Sequence, residues 1–157
     1  MNKLLIPLAL TLCLLLTGCI IGSPKVLKPM ASHPGTEAVR IPSGTLALAR
    51  HSSGDESDVL KHLKSVEVVS CEDPDNLEEL ESEFQDLVKK RKFELLIEAD
   101  EPGETVRIYV TTDRSGDVIK ELLIRSAEKD EHNFVYLKGK FKLSELLETE
   151  TKTLSKW

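Results

Sequence analysis

The chain has 157 residues, 27 of them acidic and 21 basic, for a net charge of −6 with histidine neutral. An excess of acid argues against nucleic acid as a partner, because that binding rests on lysine and arginine neutralising phosphates, and it also disfavours an electrostatic hold on anionic lipid. The length suits one domain with a modest core beside a targeting segment.

The first residues form a tripartite pattern. Lys3 supplies a positive start, Leu4 to Leu16 is a thirteen-residue apolar run, and Leu16-Thr17-Gly18-Cys19 places small residues where a peptidase reads extended backbone. This resembles the bacterial lipoprotein signal, whose four-residue box ends in cysteine. The resemblance implies that residues 1–18 are a signal peptide, that Cys19 carries the lipid, and that the mature chain begins there. Its partner is then a membrane, reached through lipid. One acyl chain holds marginally, at roughly 0.8 kcal/mol per buried methylene, whereas three make attachment effectively permanent. The competing reading is one membrane-spanning helix, since Leu4 to Ile21 is eighteen residues without a charge and ~20 span a bilayer. Pro7 and Gly18 weaken such a helix. Ile20 stands where an aspartate retains some lipoproteins at the inner membrane, which favours the outer membrane, facing the periplasm. Cleavage removes Lys3 and no acid, so the mature 139 residues carry −7.

Of three cysteines, Cys13 leaves with the signal and Cys19 takes the lipid, so Cys71 has no partner for an intramolecular disulfide. It reads as a small buried hydrophobe at the end of a strand. Residues 19–36 carry Pro24, Pro29 and Pro34 without periodicity and read as a tether. At ~3.1 Å per residue a semi-extended tether lifts a domain on the order of 50 Å from the bilayer. His33 is then a solvated linker residue.

A single domain is expected over residues 37–157. "EAVRIP" is a short strand stopped by Pro42, and "SGTLALAR" opens a helix. Ser57 caps a further turn in "SDVLKHLKS", with Val59, Leu60 and Leu63 on one side. "VEVVSCE" is the next strand. Leu77, Leu80, Phe84, Leu87 and Val88 then form the apolar stripe of the clearest helix. Asp75 and Glu78 suggest a capping-box start. Acids crowd its first turns and Lys89, Lys90, Arg91 and Lys92 its last, complementing the helix dipole. "FELLIEA", "TVRIYVTT", "VIKELLIRS" and "FVYLKGKF" are strands of an antiparallel meander, with Pro102-Gly103 at a type II turn. Leu143, Leu146, Leu147 and Leu154 mark a last helix. The order predicts an α+β fold, a mostly antiparallel sheet with a C-terminal four-strand meander and helices packed on one face.

Motifs for chemistry are few. No two of His33, His51, His62 and His132 stand at metal-ligand spacing on a helix. "DRSGD" at 113–117 has its glycine too early for a calcium loop and lacks the closing glutamate, so it reads as a hairpin turn. Glu98, Asp100, Glu101 and Glu104 surround another hairpin as solvating acids. No G-x-S-x-G, S-x-x-K or phosphate-cradling glycine loop is present. Trp157 is a tail residue rather than a stacking platform. These patterns nominate no catalytic residue, metal ligand or cofactor site.

"VRIPSGTLAL", "KKRKFELLIEA", "VRIYVTTDRSGDVIKELLIRS" and "FVYLKGKFKLSELL" together resemble a family of small bacterial lipoproteins known only as a domain of unknown function. The resemblance implies an α+β envelope domain, often lipid-anchored, and brings no catalytic residues. The expected function is a non-catalytic envelope module that contacts another envelope protein; the alternative is a binding protein for a small apolar ligand or ion. Strand alternation offers one candidate surface. If Val106, Ile108 and Val110 face the helices, then Tyr109, Leu123 and Tyr136, with Leu96, collect among charges on the outer face and suit a partner. The opposing expectation is that the N-terminal segment or a short helix covers that face.

Overall fold

A computed structural model describes residues 22–53 and 61–145. The elements in chain order are α1 (Lys28–Ala31), β1 (Thr36–Ile41), α2 (Ser43–Ser53), β2 (Leu63–Cys71), a 3₁₀ turn (Pro74–Asn76), α3 (Leu77–Lys90), β3 (Glu94–Glu101), β4 (Glu104–Thr112), β5 (Val118–Glu128) and β6 (Glu131–Lys142). The signal residues with Cys13, Cys19 and Ile20, the turn at Ser57, Val59 and Leu60, and Leu146, Leu147, Leu154 and Trp157 lie outside the described residues.

The fold is α+β. The meander from β3 to β6 forms as the hairpin signals require, but β2 adds to β6 and β1 to β2. The result is one six-stranded antiparallel sheet in the order β1-β2-β6-β5-β4-β3. The turns follow local chemistry. Gly103 takes φ +88° between β3 and β4, a conformation open to glycine without steric cost. In "DRSGD", Asp113 Oδ1 accepts from Ser115 Oγ at 2.8 Å and from the Gly116 and Val118 amides. The hairpin turn forms as expected, and Asp113 caps it with its own side chain.

The long helix α3 buries Leu80, Phe84 and Val88 of its stripe. Its start differs from the capping-box expectation: Asp73, one 3₁₀ turn earlier, accepts from the Asp75 amide at 3.0 Å. Its end is a Schellman closure, with the Phe93 amide bonded to the Val88 carbonyl at 2.9 Å and the Lys92 amide to Lys89 at 3.2 Å. Lys92 holds φ +57° there, where glycine is commonest, and buried Phe93 supplies the hydrophobic latch.

The sheet has apolar clusters on both faces, so helices on one face only is corrected. Under α3 lie Val69, Cys71, Tyr109, Leu123, Phe134 and Tyr136, joined by Leu27 and Met30. Phe84 is the centrepiece, edge-on to Tyr109 at 5.7 Å between centroids and 5.3 Å from Phe134. On the other face Leu46 of α2 meets Leu63, Val110, Ile119, Leu122 and Phe141. A register shift between Ile119 and Glu121 explains how Ile119 parts from Leu123 and joins this second cluster. Cys71 ends β2 as a buried thiol, its Sγ donating to the Asp73 carbonyl at 3.3 Å.

Two further expectations are corrected here. The stretch from Gly22 to Thr36 is not a free tether. Gly22 bridges to Arg40 of β1, Leu27 has no exposed area, Met30 is buried, and His33 sits between Glu79 and Glu83. The nominated partner surface is interior: Tyr109, Leu123 and Tyr136 are 8%, 0% and 2% exposed. The alternation itself is as read, but α3 and the N-terminal segment cover the tyrosine face, and Leu96 packs on the opposite one.

Candidate functional site

A single row of cross-strand neighbours organises the covered face. Arg40, Glu67, Tyr136, Leu123 and Tyr109 stand side by side on β1, β2, β6, β5 and β4. Glu67 is 2% exposed. A buried carboxylate is tolerated only when donors surround it. Here its Oε1 accepts from the Lys25 amide and its Oε2 from the Val26 and Leu27 amides, each at 2.9 Å. The Arg40 Nε lies 3.5 Å away. One side chain therefore clamps three consecutive backbone N–H groups and sets the path of the entering chain.

That path makes one wall of a groove. Lys25, Val26, Pro29 and Met30 face Glu83, Asp86, Leu87, Lys90 and Arg91, residues spaced along one stripe of α3 and its C-terminal cap. The groove encloses about 470 Å³. Val26, Met30 and Leu87 give it an apolar floor, and its rim is charged. His33 fastens the acidic side, its Nε2 3.1 Å from Glu83 and its Nδ1 3.5 Å from Glu79.

Arg91 is held from below. Its Nη1 donates to Glu121 Oε1 at 2.7 Å, and its guanidinium carbon lies 5.8 Å from the centroid of the Tyr136 ring. Glu121 also accepts from Tyr136 Oη at 2.6 Å and Thr111 Oγ1 at 3.0 Å. Burial raises the Glu121 carboxyl, but the Tyr136 and Thr111 hydroxyls and the Arg91 charge together outweigh it and hold it below the usual range. The same contact, added to burial, pushes the Tyr136 phenol up. Tyr136 is thus a buried neutral donor that orients a carboxylate, which in turn orients an exposed arginine. Arg125 likewise reaches up from β5 to Glu81 of α3.

Elsewhere the acids of the β3–β4 hairpin stand apart in their contacts: Glu98 pairs with Arg107 at 2.8 Å. No three His, Cys, Asp or Glu side chains converge as metal ligands among the described residues. Sequence reasoning missed Glu67 and Arg91. Glu67 did leave a signal, since alternation through "VEVVSC" puts it on the same face as Val69 and Cys71. A charge on a core-facing position asks for a buried partner. Arg91 was hidden inside a basic run that the helix dipole already explained.

Residues 31–149 match the model of a family described as a domain of unknown function, DUF4252. The chain belongs to that family. No curated protein and no solved structure matches it. The matched region starts at Ala31, in the last residue of α1, so the family's domain contains Glu67 and the α3 wall of the groove. The clamped segment of the other wall, Lys25 to Met30, precedes it.

Proposed function

We propose that the chain is a lipid-anchored protein of the bacterial cell envelope whose domain acts by binding and performs no catalysis. On this reading Cys19 carries the lipid, the membrane is the outer one, facing the periplasm, and the partner is another envelope protein. What supports it most is where the chain enters the domain. Gly22 is already bridged to β1, only three residues after Cys19, a span of at most about 11 Å of extended backbone. A lipid on Cys19 therefore holds the domain close against the bilayer instead of on a long tether.

The test is replacement of Cys19 by Ser in the host. The precursor should stay uncut, acyl label should be absent, and the protein should lose its partition into detergent. A mutant that matures and partitions like the parent overturns the anchor. Crosslinking on intact cells from exposed positions away from the groove should then return an envelope protein. The second reading, a small apolar ligand, is favoured by the groove's apolar floor and its volume of about 470 Å³, which falls within the usual size of ligand sites. Native mass spectrometry of protein purified from its host separates the two, since a bound small molecule adds discrete mass.

A further inference from the structure

We infer that the groove between the entering chain and the C-terminal half of α3 docks on the anionic phospholipid headgroups of the membrane that holds Cys19. The inference rests on the lipid-anchored reading above. It starts from charge. The mature chain is strongly acidic, yet Lys25, Lys28, Lys89, Lys90, Arg91 and Lys92 are all exposed, and three of them, Lys25, Lys90 and Arg91, line one groove. Lys25 comes from the clamped entering segment, and Lys90 and Arg91 come from the end of α3, facing it across the groove. The acids of the same groove are Glu83, already engaged by His33, and exposed Asp86.

The second argument is position. The carboxylate of Glu67 accepts from the Lys25 amide, and Arg40 beside it bridges Gly22, so Gly22, three residues after Cys19 in sequence, lies beside the groove. Tyr136, the next residue in that row, carries Arg91 over its ring. Neighbouring strands lie about 5 Å apart, so the exit point and the basic end of α3 occupy one side of the molecule. With only two residues between Cys19 and Gly22, that side is the one a lipid brings to the bilayer. Lysine and arginine within a Debye length of an anionic leaflet are attracted to it. Arg91 has a further merit: fixed by Glu121, it presents its remaining N–H groups as a preset fork, which suits phosphate oxygens.

The experiment uses the mature chain purified from its host and reconstituted in phosphatidylcholine vesicles with or without phosphatidylglycerol. Hydrogen exchange of residues 24–31 and 86–92 should slow on the phosphatidylglycerol vesicles only, and high salt should abolish the effect. Lys25→Glu with Lys90→Glu should remove the protection, and each lost cation should weaken docking on the order of fivefold. If that pair lowers the melting temperature, Lys89→Glu with Lys92→Glu, on exposed side chains, must reproduce the loss. Equal exchange on both vesicles, indifference to charge reversal, or protection at the acidic β3 edge instead would overturn the inference. So would protection that needs a protein partner and ignores lipid charge. The mass of the purified chain reports separately whether Cys19 is acylated. If it is not, the anchor reading fails, and salt-sensitive flotation with phosphatidylglycerol vesicles decides the groove on its own.

Discussion

On the α3 face of the sheet, Leu80, Phe84, Leu123 and Phe134 have no exposed area, and polar links from Arg125 to Glu81 and from Arg91 to Glu121 rim the contact. On the opposite face Leu46 is the one buried residue among the described side chains of α2, Leu48 stays 65% exposed, and Val66, Leu96, Ile108 and Leu137 are only partly buried. A fourteen-residue helix with three buried side chains closes one face, whereas α2 seals the other around Phe141 and Ile119. The difference implies that stability is concentrated under α3. It also explains why the groove, which borrows α3 as a wall, has rigid backing for its charges.

The sharpest way to break that comparison is Phe84→Ala against Ile108→Ala. Phe84 loses two ring contacts and opens a void, so urea unfolding should show a loss of about 3–5 kcal/mol. Ile108, half-buried, should lose clearly less, about 1–2 kcal/mol. Equal losses would mean that both faces are packed alike. Next in size is Glu67→Gln. The amide replaces one acceptor oxygen by a donor that opposes a backbone N–H, and about 1–3 kcal/mol should be lost. Amide exchange should quicken at Lys25, Val26 and Leu27 while β4 and β5 stay protected. Global quickening would show that the clamp holds the whole domain.

The Glu121 network predicts a pH dependence. Its carboxyl lies below the ordinary value of 4.5 in the folded protein. The folded state therefore binds that proton less readily than the unfolded one. Its contribution is full above about 4.5 and is lost as pH falls through the lower folded value. The stability gap between the parent and Glu121→Gln should accordingly shrink in acid, read as melting temperature against pH. A gap that is constant with pH would assign Glu121 a steric role. The smallest effect is Lys92→Gly, which should stabilise by up to about 1 kcal/mol by relieving a left-handed backbone.

The strands and their alternation were legible because both are local. Period-two patterns separated Ile108 and Val110 from Tyr109, and Phe134 and Tyr136 from Leu137 and Phe141, as the structure has them. The stripe Leu80, Phe84 and Val88 was legible for the same reason. What failed was the choice of face. Both faces carry enough apolar area to be core, so alternation cannot rank them, and the buried tyrosines looked like an interface. The tether was misread because three prolines resemble a linker until Glu67, some forty residues later, supplies acceptors for its amides.

By itself, then, the sequence determined the element types, the hairpin turns at Pro102-Gly103 and at "DRSGD", the burial of Cys71, and the α+β class. Each follows from backbone preference or side-chain period within a few residues. Only the tertiary structure decided that β1 and β2 extend the meander to six strands, that α3 lies over the tyrosines, and that Lys25 meets Lys90 and Arg91 across one groove. Those outcomes depend on contacts between residues dozens of positions apart. Long-range burial and hydrogen bonding select among arrangements that local propensity leaves equal.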